Sequence, residues 1–187
     1  MSAKRTMIRR ERLLREKNAK KKGALGKLER ARDKGTSDGR IIAVSVIFEI
    51  LHDKYKFSNN KVQKLYDCMN KESARLDNPG AKFVAEYYYD LFAKKIGTVG
   101  MHQEYTILEQ AYYLSRDELY HTTVAVALMC LNELWGYSSN SKNTGRLDFI
   151  MEYCTNRYLE FQLAPDRHTA KHYLEKMMRK TGYTIAF

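Results

Sequence analysis

The sequence predicts an all-α protein: two tandem three-helix repeats packed as one helical bundle, preceded by a basic N-terminal arm. Three observations lead there. The first is a pair of apolar runs, Ile41–Leu51 (IIAVSVIFEIL) and Val124–Trp135 (VAVALMCLNELW). A short apolar run can be a buried strand or a buried helix. Val and Ile in the first run favour strand, whereas Ala, Leu, Met and Glu in the second favour helix. If they are two copies of one element, the second decides for both, and both become central helices that are apolar all round.

The second observation is the repeat itself. An ungapped offset of 82 places Ile42 on Val124, Ala43 on Ala125, Val44 on Val126, Val46 on Leu128, Tyr55 on Tyr137, Lys64 on Arg146, Leu65 on Leu147 and Met69 on Met151. A three-residue insertion near Pro165 moves the offset to 85, after which Ala85, Tyr88, Phe92 and Gly97 meet Ala170, Tyr173, Met177 and Gly182. A single gap accounts for the whole register.

The third observation is where the charge lies. The 187-residue chain carries a net +11, and residues 1–35 hold fourteen of its cations against Glu11, Glu16, Glu29 and Asp33, a local net of +10. The body is therefore close to neutral. Such a block repels itself and has too little apolar surface to offset the entropy of ordering, so on its own it is expected to be partly disordered or a frayed helix. No Gly or Pro falls between Lys4 and Lys22, so an oppositely charged partner would stabilise a helix there.

Taken in order, the elements follow from breaks and caps. Residues 1–35 form the arm, with Gly23 and Gly26 as a hinge. Gly35-Thr36-Ser37-Asp38-Gly39 reads as the boundary, with Ser37 or Asp38 capping the first core helix. The first repeat, residues 36–97, takes that helix to about Lys54, a turn at Tyr55-Lys56-Phe57, a helix from Lys61 to Leu76 begun by Ser58 or Asn59, the turn Asp77-Asn78-Pro79-Gly80, and a helix from Ala81 to Ile96. A connecting segment, residues 98–115, holds a short helix whose Tyr105, Leu108, Tyr112 and Tyr113 cover the joint. The second repeat, residues 116–187, starts at Ser115 with Asp117 and Glu118 matching the positive end of the helix dipole. Its first helix runs to Trp135, its second from Ser141 or Lys142 to Phe161, and its third ends near Gly182.

At the first of these turns, Leu51, His52, Asp53, Tyr55, Phe57, Lys64 and Leu65, matched by Tyr137, Arg146 and Leu147 in the second copy, form a pattern of apolar helix, aromatic turn, and basic residue with Leu opening the next helix. It resembles small uncharacterised helical proteins encoded by phages and prophages of Gram-positive bacteria. The resemblance covers about forty residues per copy and implies a phage origin, with no activity attached.

Composition narrows the function classes. Neither apolar run reaches the roughly 18 to 20 residues of a membrane span, and the chain opens with no signal-peptide pattern, so a cytoplasmic protein is expected. Cys68, Cys130 and Cys154 lack CxxC spacing and read as reduced packing residues. His168 and His172 have the spacing of two metal ligands but no obvious third ligand and read as a solvated helix start, and Asp148 and Glu152, four apart on a helix, read as a solvated carboxylate pair, so no metal and no cofactor are expected. Gly23-Ala24-Leu25-Gly26-Lys27 has two residues between its glycines where a phosphate loop needs four. The fourteen tyrosines read as core residues with hydroxyls at the rim. No nucleophile, base and orienting group can be assembled, so no enzyme is expected.

What remains is the arm. Lys4, Arg5, Arg9, Arg10, Arg12, Arg15, Lys17, Lys20, Lys21, Lys22, Lys27 and Arg30 are the candidate contacts to phosphates of RNA or DNA, independent of base sequence. The alternative is a protein-interaction module, a phage-type inhibitor docking on a host enzyme or a CRISPR effector nucleoprotein. A lipid surface fits poorly, because no wide apolar face accompanies the charges.

Overall fold

A computed structural model describes residues 3–76, 79–96, 105–140, 145–163 and 169–184, with the side chains of 3–19, 79–83, 95 and 96 outside that description. Six helices make up the described chain: α1 (Ala3–Tyr55), α2 (Asn59–Ser73), α3 (Pro79–Ile96), α4 (Ile107–Trp135), α5 (Arg146–Leu163) and α6 (Ala170–Thr181). The two apolar runs are the C-terminal halves of α1 and α4. Every residue from Ile42 to Leu51 is buried, and together they occupy every side of the helix. Val124 through Leu131 are buried in the same way. Only a helix surrounded by other helices can hide its whole circumference.

The helices α1 and α4 lie side by side and parallel. Gly35 meets Tyr112 and Gly39 meets Arg116, and further along Tyr55 stacks on Tyr137 with ring centroids 5.5 Å apart. Each is followed by an antiparallel helix. On α2, Tyr66 reaches Phe48 and Asn70 reaches Arg40; on α5, the Cys154 carbonyl accepts from the Tyr120 hydroxyl at 2.8 Å and Gln162 donates to Asp117 at 2.6 Å. The third helices are placed differently. α3 runs antiparallel to α4, with Phe92 beside Tyr120 and Tyr88 near Met129, whereas α6 runs parallel to α1, with Lys180 on Glu49 and Asp53 and Tyr183 on Phe57.

Three expected boundaries are corrected. The chain does not break at Gly35–Gly39, and neither Ser37 nor Asp38 caps a helix, because α1 passes straight through. These glycines bring two backbones together: a Cβ on Gly35 would lie 2.2 Å from the Tyr112 carbonyl oxygen, and one on Gly39 would lie 2.1 Å from that of Arg116. Asp38 instead accepts the Tyr112 hydroxyl at 2.6 Å. Gly23 and Gly26 likewise form no hinge, since they too lie inside α1. Finally, α4 starts well before Ser115. Thr106 and Glu109 form a reciprocal capping box, the Thr106 hydroxyl accepting from the Glu109 amide and the Glu109 carboxylate accepting from the Thr106 amide at 2.9 Å. The last part of the segment expected to connect two repeats, from Ile107 to Ser115, is thus the start of α4, and residues 98–104 lie outside the described residues.

The second helix of each half begins after a turn. At the first turn, Lys56 takes a left-handed conformation. At the second, Gly136 ends α4 at φ 63°, and the buried Asp148 closes the loop by accepting from Ser139 Oγ, the Asn140 amide and the Gly145 amide at 2.6, 3.0 and 2.9 Å. The start of α5 at Arg146 lies after the expected Ser141 or Lys142, both outside the described residues. Cys130 and Cys154 are buried free thiols, and burial pushes the Cys154 thiol up to about 12. Among the described residues no helix is long and apolar enough to cross a membrane.

Candidate nucleic-acid interface

The N-terminal part of α1 leaves the bundle as a helix. The stripe that faces α4 consists of half-buried Leu28 and Ala31 and buried Gly35 and Gly39, at the three- and four-residue spacing of one helix face. Carried towards the N-terminus, the same stripe reaches exposed Ala24 and then exposed Lys21. The packing face therefore ends near Leu28, and from Lys21 outward it bears a cation. At about 1.5 Å per residue, the helix from Ala3 to Lys34 is about 48 Å long.

Of the twelve sequence-predicted contacts, Lys4, Arg5, Arg9, Arg10, Arg12, Arg15 and Lys17 belong to the helical backbone of α1, and their side chains lie outside the described residues. Lys20, Lys21, Lys22, Lys27 and Arg30 are described and exposed. Arg32 and Lys34 join them on the same segment. None of these seven forms an ion pair with a described carboxylate. Arg30 Nε donates to the Gly26 carbonyl at 3.0 Å, and Lys34 Nζ stands 5.6 Å from the Tyr112 ring centroid.

Seven of the fifteen described cations of the body, Arg75, Arg116, Arg157, Lys171, Lys176, Arg179 and Lys180, pair with its own carboxylates. Arg116, buried between the rings of Tyr113 and Phe161, donates from Nε to Asp117 at 2.9 Å. Arg157 pairs with Glu160 at 2.6 Å, and Lys171 and Arg179 pair with Glu175. Buried Glu49 gathers Lys180 at 3.0 Å, Lys176 at 3.4 Å and Arg157 at 3.9 Å. Burial would raise the Glu49 carboxyl, but hydrogen bonds from Lys180 and Tyr153 and the charge of Lys176 outweigh it, and the group sits below its ordinary value. Lys180, which also pairs with Asp53, is raised to about 12 by those two carboxylates. This cluster clamps α6 onto α1.

The sequence reading missed one cation. Arg40 is exposed one turn beyond Gly35, and its guanidinium donates to Asn70 Oδ1 at 2.5 Å. It lines a groove of about 670 Å³ between α1, α2 and α4, together with Asp33, Ile41, Met69, Asn70 and Thr122. The signal was hidden by taking Gly35–Gly39 as the end of the arm.

The other candidate chemistries are not brought together. Asp148 is occupied in closing its loop, while Glu152 is exposed. His172 lies in the first turn of α6, and His168 is outside the described residues. Among the described residues no three His, Cys, Asp or Glu side chains are grouped to hold a metal ion. Tyr66, Tyr88, Tyr120, Tyr137, Tyr158, Tyr173 and Tyr183 are buried, as expected for core tyrosines, whereas Tyr87 is 60% exposed. In comparisons with known proteins, the chain matches no family model, no curated protein and no solved structure.

Proposed function

We propose that this is a non-enzymatic nucleic-acid-binding protein in which the basic segment of α1, from Lys4 to Arg30, contacts phosphates while the helical body positions it. The observation that carries this reading is the concentration of cations without acid partners on one helical segment. The five described cations of the segment, Lys20, Lys21, Lys22, Lys27 and Arg30, stand exposed close together on one helix without a described carboxylate partner, while seven of the fifteen described cations of the body are engaged by its own acids. A row of unpaired like charges along one rod is electrostatically unfavourable alone, and a polyanion removes that cost by releasing its condensed counterions. The fusion of the segment to the core through one uninterrupted helix gives it a fixed direction, which a flexible tail would lack.

The test is deletion of residues 1–27, which removes eleven cations and two carboxylates and spares the packed residues from Leu28 onward. Lys34, Gly35 and Asp38 touch Tyr112, so a cut at residue 35 would disturb the bundle. With six to ten phosphate contacts, full-length affinity should fall by about three to five decades between 50 and 200 mM salt. The truncated protein should bind at least about a hundredfold more weakly at low salt. Unchanged affinity after deletion rules the reading out.

A second reading, the phage-type module docking on a host enzyme or nucleoprotein, is favoured by outward-facing apolar side chains on the body: Ile107 is 76% exposed, Leu114 56% and Leu163 86%. Co-purification after nuclease treatment separates the two. A retained protein partner supports docking, and loss of bound material with nuclease supports direct nucleic-acid binding.

A further inference from the structure

We propose that the polyanion is double-stranded DNA, and that the basic segment of α1 lies in its major groove with the phosphates of both strands alongside. This rests on the nucleic-acid reading above and adds the class of duplex and the mode of entry.

The placement of charge around the helix is the main observation. At about 100° per residue, exposed Lys20, Lys27 and Arg30 project around one side of the segment, and exposed Lys21, Lys22 and Arg32 around the side about 170° away, where they outnumber the exposed Glu29. A helix laid along a single row of phosphates would need cations on one side only. Cations on opposite sides suit an environment with phosphates on both sides. The B-form major groove, about 12 Å wide and walled by two backbones, admits a helix of about 10 to 12 Å diameter.

The competing nucleic acids fit less well. The A-form major groove of duplex RNA is deep and narrow, and a helix cannot enter it. Single strands are gripped by stacking bases on aromatic rings. Residues 1–35 contain no Phe, Tyr or Trp, and no His. The described part of the segment offers no Asn or Gln, so base edges beside it would be met only by Lys and Arg.

The test uses the full chain and two triple variants, K20Q/K27Q/R30Q and K21Q/K22Q/R32Q. Each removes three charges from one side, and Gln keeps the helix. Binding is followed by fluorescence anisotropy over a salt series, with a 20-base-pair DNA duplex, the matching RNA duplex and one DNA strand. The DNA duplex should bind at least about tenfold tighter than the other two. Each variant should reduce the magnitude of the salt slope, by up to about 2.7 if all three side chains contact phosphates. Circular dichroism of each variant confirms equal helix content. Loss confined to one variant overturns groove insertion, and equal binding of the RNA duplex or the single strand overturns the assignment to DNA. In both cases the nucleic-acid reading survives. No binding to any of the three overturns both.

Discussion

Two pairs of glycines in one helix have opposite reasons for being there. A Cβ at Gly23 or Gly26 would meet nothing within 4 Å, whereas at Gly39 it would fall 2.1 Å from the Arg116 carbonyl oxygen. Backbone cannot move aside as a flexible side chain can, so Gly39→Ala forces α1 away from α4 along the middle of the core. Its expected cost is at the upper end of overpacking, about 3 kcal/mol in denaturant unfolding. Gly23→Ala with Gly26→Ala should instead raise helix content at 222 nm, each removing a penalty of about 1 kcal/mol for glycine in an exposed helix. A destabilisation by the second pair would show that the segment packs on something. The composition of Gly35–Gly39 was legible, but its meaning was not: glycine marks a chain break or a close approach, and only the neighbouring helix decides which.

Among the elements, α6 depends most on charge for its place. Its buried residues are only Ala170, Tyr173 and Met177, and Lys176 and Lys180 anchor it to Glu49 on α1. Glu49→Gln keeps the shape and leaves three cations without their shared partner. The expected loss is about 2 kcal/mol, below the roughly 3 to 5 of a fully dry pair, because Lys176 and Lys180 are 37% and 42% exposed. The pH dependence follows from the carboxyl groups. Glu49 and Asp53 lie below their ordinary 4.5 and 3.8 in the folded protein, so their contribution is present above those values and is lost as pH falls through the lower folded-state values. Wild-type stability measured from pH 6 to pH 2 should drop more steeply than that of Glu49→Gln; parallel curves would mean that the cluster does not hold α6. Both apolar runs, the glycine ends of α4 and α6, and the Thr106-to-Glu109 cap were all present in the sequence. The cap was overlooked because the aromatic residues around it resembled a linker. The direction of α6 was not legible, since it is set by where Lys176 and Lys180 meet Glu49, more than a hundred residues away in sequence.

Across the whole molecule, charge and packing divide at nearly the same place in α1. The packing face ends near Leu28, and most of the net +11 lies on the N-terminal side of that point. Stability and binding should therefore separate. None of the described side chains among residues 1–27, those of Lys20 to Lys27, belongs to the buried core, so deleting the segment should leave the thermal midpoint within about 3 °C, the size of a change below 1 kcal/mol for a chain of this length. Helix signal per molecule should fall, because the helical stretch from Ala3 to Lys27 is gone while α2 to α6 remain. Salt should act on the two forms differently. In the full chain it screens repulsion among the basic residues, so the midpoint should rise modestly between 20 and 200 mM, and the truncated, nearly neutral protein should show a smaller rise. If deletion instead lowered the midpoint by 10 °C or more, the segment would have to be part of the folded core, and its cations could not be held ready for an external polyanion.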